Sequence, residues 1–85
     1  MDNKLEIFKK KLLYRAGYRG TKEMDILLST FVKKYIDKFS KKQLEDLEVF
    51  LKFEDEIIFN FYNYNIIRNN IDKNPISKIF KDFKI

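Results

Sequence analysis

Two arginines, two glycines and two acidic residues lie close together near the start of this 85-residue chain. They are Arg15, Gly17, Arg19, Gly20, Glu23 and Asp25. Arginine offers a planar fork of N–H donors that suits carboxylates and phosphates, and glycine lets another backbone approach closely. These properties serve recognition rather than bond-making. The segment is therefore a candidate binding site for a partner.

The side chains that most often perform acid–base or nucleophilic chemistry are missing from the sequence. It contains no histidine and no cysteine, which excludes catalytic triads built on histidine, thiolate metal sites and disulfides. Asp55 and Glu56 are adjacent, and neighbouring residues on a helix point apart, so we interpret them as acids favoured in a first helical turn. The composition thus disfavours an enzyme and indicates a small module that acts on a partner.

The net charge of +5 is concentrated at one end of the chain. Residues 1–22 carry seven basic and two acidic side chains, whereas the remainder is neutral. A basic end of this kind indicates an acidic protein, a phosphate-bearing ligand, nucleic acid or a membrane surface as partner.

The first residues do not have the pattern of a targeting segment. They contain no apolar core of a secretory signal, and Asp2, Glu6 and the lack of serine disfavour a mitochondrial transit peptide. No run of about 18 apolar residues could span a membrane. We therefore expect a cytoplasmic protein without membrane insertion.

Apolar residues recur at helical spacing along the whole chain and nowhere alternate strictly, which predicts an all-α protein. We expect a compact array of about five short helices in a single domain, residues 1–85. The first helix covers about residues 5–16 and ends at Gly17, and the second starts after Gly20. Ser40 with Gln43 forms a capping box for the third, a break at 53–55 precedes the fourth, and Asn74-Pro75 opens the fifth. Ile66, Ile67 and Ile71 of the loop before the fifth helix should be tucked against the protein rather than exposed.

These elements place the arginine–glycine segment in the turn between the first two helices. The N–H groups at the start of the second helix point out of this turn. An ordinary turn explains the same residues: Gly17 ends one helix, Gly20 eases entry to the next, and Glu23 favours the helix dipole. The residues alone leave both interpretations open.

The order of motifs resembles the SdhE-type flavinylation factors, also called succinate dehydrogenase assembly factor 2. The first matching block is Tyr14-Arg15-x-x-x-Arg19-Gly20-x-x-Glu23-x-Asp25-x-Leu27-Leu28-x-x-Phe31, and the second is Phe50-Leu51 followed by Asp55 and Ile58-Phe59-Asn60-Phe61-Tyr62. The resemblance covers about residues 8–64, and its core is Arg-Gly-x-x-Glu.

The resemblance implies an assembly factor that is not itself an enzyme. It would bind the flavoprotein subunit of succinate dehydrogenase, and often that of fumarate reductase, and promote covalent attachment of FAD to a histidine of that subunit. It would hold no cofactor stably. The implied partner-binding residues are Arg15, Arg19, Gly20, Glu23 and Asp25, in a monomer or weak homodimer.

Two other functions compete with this interpretation. A small basic nucleic-acid-binding protein could use the first two helices as a helix-turn-helix, but Glu23 and Asp25 at the start of the second would repel phosphates. A peripheral membrane helix would use the lysines of the first helix, whose apolar face has no tryptophan. We therefore expect neither nucleic acid nor membrane as the partner.

Overall fold

A computed structural model of the chain describes residues 3–84 and confirms the all-α prediction. Five α-helices and one 3₁₀ turn follow one another, with no strand among the described residues. The helices are α1 (Asn3–Gly17), α2 (Lys22–Tyr35), α3 (Lys41–Phe50), α4 (Asp55–Tyr64) and α5 (Pro75–Asp82), and the 3₁₀ turn is Ile71–Lys73. None of these helices is long and apolar enough to cross a membrane.

Side-chain caps fix where three of the helices begin. Ser40 and Gln43 form the predicted capping box of α3, and Asn74 caps α5 by accepting the N–H of Ile76 ahead of Pro75. Thr21 caps α2 by accepting the N–H of Met24 at 3.2 Å, a cap that the sequence interpretation missed. Each such cap contributes about 0.5–2 kcal/mol, so the helix starts are set locally.

The core combines aliphatic and aromatic side chains, and phenylalanine rings of α2, α3 and α5 meet within it. Phe80 of α5 is fully buried, and its ring centroid lies 5.0 Å from that of Phe31 and 5.2 Å from that of Phe50. Helix α1 packs mainly on α2, with Leu12 and Ala16 buried. The short helices therefore converge on one centre, and the turns that connect them lie at the surface.

The link between α4 and α5 departs from the prediction. Ile71 is buried as expected, but Ile66 and Ile67 are 45% and 53% exposed. Asn65, Asn69 and Asn70 adopt left-handed backbone conformations, whereas no glycine of the described chain does. Asparagine tolerates this conformation better than most residues. The chain leaves α4 at Asn65 and runs over the surface, so only Ile71 reaches the core.

Gly17 also behaves differently from the expected helix stop. It is the last residue of α1 rather than a left-handed residue beyond the helix, and apart from its chain neighbours and the backbone of α1 nothing lies within 4 Å of the position its Cβ would take. The conformational freedom of glycine is therefore not used at Gly17.

Candidate functional site

The turn between α1 and α2 is fastened to the turn between α3 and α4 by a single guanidinium group. Arg19 donates from Nε to Oδ1 of Asp55 at 2.6 Å, and its two terminal nitrogens donate to the carbonyls of Leu51 and Phe53, each at 2.8 Å. The Arg19 side chain is only 10% exposed and that of Asp55 24%. Arg19 is thus enclosed by its own chain.

The chemistry of the two helix ends explains why an arginine occupies this position. The carbonyls at the end of α3 lack helical partners and carry partial negative charge, while the start of α4 favours an anion such as Asp55. One guanidinium can bind the carbonyl oxygens and the carboxylate at the same time because its N–H donors spread in a plane. The ammonium group of lysine cannot reproduce this arrangement. We call this set, Arg19 with Asp55 and the two carbonyls, the arginine clamp.

The backbone of the turn is held by two carboxylates. Gly20 N–H donates to Oδ2 of Asp55 at 2.6 Å, and Arg19 N–H donates to Oδ1 of Asp25 at 2.5 Å. A Cβ on Gly20 would lie 3.2 Å from Oδ2 of Asp55. The close approach expected at this glycine is therefore made by a side chain of the same molecule, and Asp25 has an internal role as well.

Glu23 is the member of the segment that the fold leaves open. It lies exposed in the first turn of α2, and its side chain forms no hydrogen bond or ion pair within residues 3–84. Two open grooves meet at its side chain. One, of about 360 Å³, is lined by Thr21, Met24, Asp55, Glu56 and Phe59, and the other, of about 210 Å³, by Ile26, Leu27, Tyr62 and Asn63.

Arg15 lies apart from the clamp on the side of α1 that faces α3. Its guanidinium is 3.6 Å from Glu48, and the two side chains are 45% and 36% exposed. A contact this long and this exposed contributes little to stability, about 0–1 kcal/mol. Arg15 therefore keeps most of its donors available at the surface.

The structure thus sorts the five predicted site residues into three environments. Arg19, Gly20 and Asp25 are joined in one internal network, Glu23 stands exposed beside it, and Arg15 lies on α1. Their contact with a partner stays a prediction.

Asp55 is the residue whose role the sequence interpretation missed. The sequence indicates only an acid favoured at a helix start, although Asp55 lies in the second block of the resemblance. Both blocks match one family in the same order, with Arg19 in the first block and Asp55 in the second. This shared match is the signal in the sequence that the two residues act together. Among the described residues no group of histidine, cysteine or acidic side chains could hold a metal ion.

Comparison with known proteins gives a match over most of the chain. A family model described as "Flavinator of succinate dehydrogenase" matches residues 10–84. The curated relatives include succinate dehydrogenase assembly factor 2 of Scheffersomyces stipitis, 35% identical over 81 residues that make up 95% of this chain and 51% of the relative. The factor of Meyerozyma guilliermondii is 35% identical over 80 residues, 94% of this chain and 56% of the relative.

The match to a relative from Drosophila is shorter. Assembly factor 2-B of Drosophila yakuba is 47% identical over 47 residues, 55% of this chain and 30% of the relative. The chain spans about half the length of the first two relatives. No solved structure matches it.

The names of these relatives contradict the predicted location. All three are designated mitochondrial proteins, so the expectation of a cytoplasmic protein is wrong. That expectation relied on the residues at the start of the chain. Those residues are a poor guide to the compartment, because the matched region is only about half of each fungal relative.

Proposed function

This chain belongs to the family of flavinators of succinate dehydrogenase, and from that premise we propose that it binds the flavoprotein subunit of that enzyme and promotes covalent attachment of FAD. In this proposal the protein is an assembly factor and not a turnover enzyme, and FAD remains with the partner. The flavoprotein of fumarate reductase is a second client of the same surface. The mitochondrial designation of the relatives supports the same compartment for this chain.

The observation that carries the proposal is the contrast between Glu23 and the clamp beneath it. The turn is fixed by Arg19 and Asp55, yet Glu23 projects from it without an internal partner among the described residues. Because the turn is already fixed, binding through Glu23 requires its side chain to become ordered but not the backbone beneath it, which favours affinity. Glu23 is therefore the residue to which we assign direct contact with the flavoprotein.

The other residues of the predicted site have supporting roles in this proposal. Arg19 and Asp25 set the path of the turn, and Gly20 leaves room for the carboxylate of Asp55. They act on the partner through the position they give to Glu23. Arg15, exposed on α1, contacts the partner at a separate place.

The physical contribution of such a factor is positioning. Attachment requires an imidazole of the partner to be held against the flavin, with the negative charge that develops on the ring system stabilised. Holding reactants in the right geometry can lower a barrier by several kcal/mol, up to about 7–11 kcal/mol. This chain has no histidine or cysteine of its own, so it would act by holding the partner in the productive arrangement.

Reconstitution tests the proposal directly. The flavoprotein subunit is expressed in cells lacking any endogenous factor, with this protein or with an empty vector, then denatured and examined for in-gel flavin fluorescence. We expect covalent flavin with the protein and a much weaker signal without it. Equal fluorescence in both cultures would reject the function. The fumarate reductase flavoprotein, expressed in the same way, tests the second client.

A further inference from the structure

A second exposed surface runs along α1 and continues into the turn that follows it. We call it the basic aromatic stripe; it consists of Ile7, Lys10, Lys11, Tyr14, Arg15 and Tyr18. Residues three and four apart share one face of a helix, so these side chains form a continuous row about 16 Å long. The first five line an open groove of about 450 Å³. The buried residues of α1, Leu12 and Ala16, lie on its other side.

The apolar members of the stripe are unusually exposed for their size. Ile7 is 55% exposed, Tyr14 62% and Tyr18 72%. The two tyrosine rings stack with their centroids 4.3 Å apart and their planes 25° from parallel. Exposed apolar patches on small proteins frequently mark interaction sites, and tyrosine is enriched at interfaces because its ring is apolar and its hydroxyl can bind water or a partner. The stacked pair therefore presents a preformed apolar surface to a partner.

The positive charges of the stripe have few ion-pair partners within the described chain. Lys10 and Lys11 form no ion pair with any residue of the described chain, and Arg15 has only its long, exposed contact with Glu48. This segment belongs to the part of the sequence that carries the whole net charge of +5. An occupant of the stripe must therefore supply negative charge together with an apolar surface.

We propose that the basic aromatic stripe docks an acidic segment of the flavoprotein subunit that also carries an apolar side chain. This inference rests on the proposed function and adds a second contact to the Glu23 surface. An apolar side chain packs against Tyr14 and Tyr18, while carboxylates pair with Lys10, Lys11 and Arg15. The row is long enough for about three helical turns or five extended residues of the partner.

The acids beside the stripe favour a protein segment over a polyphosphate chain or a lipid surface. Glu6 is exposed next to Ile7, and Glu48 lies beside Arg15. These carboxylates repel a continuous array of phosphates, whereas a peptide can place its few carboxylates only where the cations are. Because α1 packs on α2, the stripe offers just three apolar side chains, which is little area for insertion into a membrane.

The basic aromatic stripe and the Glu23 surface together determine the orientation in which the partner docks. Tyr18 directly precedes Arg19 of the clamp, so the stripe leads into the turn from which Glu23 projects. The stripe is basic, whereas the exposed charges of the groove beside Glu23 are the carboxylates of Glu23 and Glu56, since Asp55 is paired with Arg19. Opposite charges on two neighbouring surfaces admit one orientation of a complementary partner and disfavour the reversed one.

Charge reversal within the stripe tests the inference. The affinity of the Lys10→Glu/Lys11→Glu variant for the purified flavoprotein subunit is measured at 50 and 200 mM salt, beside wild type and a Lys52→Glu/Lys78→Glu control. Lys52 and Lys78 are exposed lysines outside the stripe, so the control has the same net charge. We expect about tenfold weaker binding and a smaller salt dependence for the stripe variant only. A Tyr14→Ala/Tyr18→Ala variant should also weaken binding by about tenfold or more.

The outcomes separate the two proposals. If wild type binds and both stripe variants bind equally well, the stripe is not a docking surface and the proposed function stands. If wild type fails to bind the flavoprotein, both proposals are overturned. Titrations with anionic phosphatidylserine vesicles and with labelled single-stranded DNA complete the design. Tight binding of either one that Lys10→Glu/Lys11→Glu abolishes, with unchanged flavoprotein affinity, would assign the stripe to that ligand and contradict a protein segment.

Discussion

Arg15 and Arg19 lie four residues apart and differ sharply in their surroundings. Arg19 is 10% exposed and donates to three acceptors within 2.8 Å, while Arg15 is 45% exposed and has one carboxylate at 3.6 Å. Both belong to the motif that resembles the family signature. Burial and the number of acceptors, which the motif does not reveal, give Arg19 a role in folding and leave Arg15 available for binding.

The same division separates the clamp from the two exposed surfaces. The clamp satisfies charged groups inside the molecule, whereas Glu23 and the basic aromatic stripe present charges without strong internal partners. A rigid turn also fixes where Glu23 projects. A substitution in the clamp should therefore act through stability, and a substitution at Glu23 or in the stripe should act through binding.

The largest effect on stability is expected for Arg19→Ala. Removing the guanidinium leaves the Asp55 carboxylate without its counter-charge and two helix-end carbonyls without donors. Because the ion pair is only partly buried, its loss together with the two unsatisfied carbonyls should cost about 2–4 kcal/mol, still a large share of the 5–15 kcal/mol typical of a whole domain. Urea unfolding followed by circular dichroism measures the change.

A double-mutant cycle with Asp55→Asn shows whether that effect belongs to the clamp. The single substitutions should be less than additive when combined, because each one removes the same interaction. Additive free energies of unfolding, or an Arg19→Ala protein within about 1 kcal/mol of wild type, would show that the clamp does not hold the turn.

The two glycines should respond with opposite signs. In Gly20→Ala the new Cβ lies 3.2 Å from a carboxylate that Arg19 holds in place, and this crowding should cost about 1–2 kcal/mol. In Gly17→Ala the Cβ meets nothing within 4 Å beyond its chain neighbours and the backbone of α1, and the substitution should stabilise the protein by about 0.5 kcal/mol. Thermal melting of both variants measures the difference. A stabilised Gly20→Ala protein would mean that Asp55 can move away.

A smaller effect is expected for Arg15→Ala. Its exposed contact with Glu48 contributes about 0–1 kcal/mol, so the melting curve should stay close to that of wild type. Binding to the flavoprotein should weaken, since Arg15 belongs to the stripe. The matched control is Lys52→Ala, which removes an exposed positive charge elsewhere. Destabilisation comparable to that of Arg19→Ala would erase the distinction between the two arginines.

The sequence predicted the features of the fold that depend on neighbouring residues. Helical spacing identified the five helices, and the capping box at Ser40 and the start at Asn74-Pro75 were confirmed because caps are local interactions. Ile66 and Ile67 were predicted wrongly. Their burial depends on the path that three left-handed asparagines give to the chain, and hydrophobicity does not show it.

The candidate site was predicted in part. The motif located the turn, and the resemblance named its family, which the family model confirmed. The clamp was not foreseen because Arg19 and Asp55 are separated by 36 positions, and spacing along one helix cannot reveal such a pair. The stacked Tyr14 and Tyr18 were likewise assigned no role, since one sequence does not show which aromatic rings stay outside the core.

Glu23→Ala tests the central claim, that the clamp supports the fold while Glu23 contacts the partner. The variant is co-expressed with the succinate dehydrogenase flavoprotein beside Glu45→Ala, a control at another exposed glutamate. Covalent flavin is read by in-gel fluorescence, and a melting curve is recorded for each purified factor. We predict that Glu23→Ala loses no more than about 1 kcal/mol of stability and most of the flavin signal, while the control keeps both. Full fluorescence with folded Glu23→Ala protein would contradict the claim.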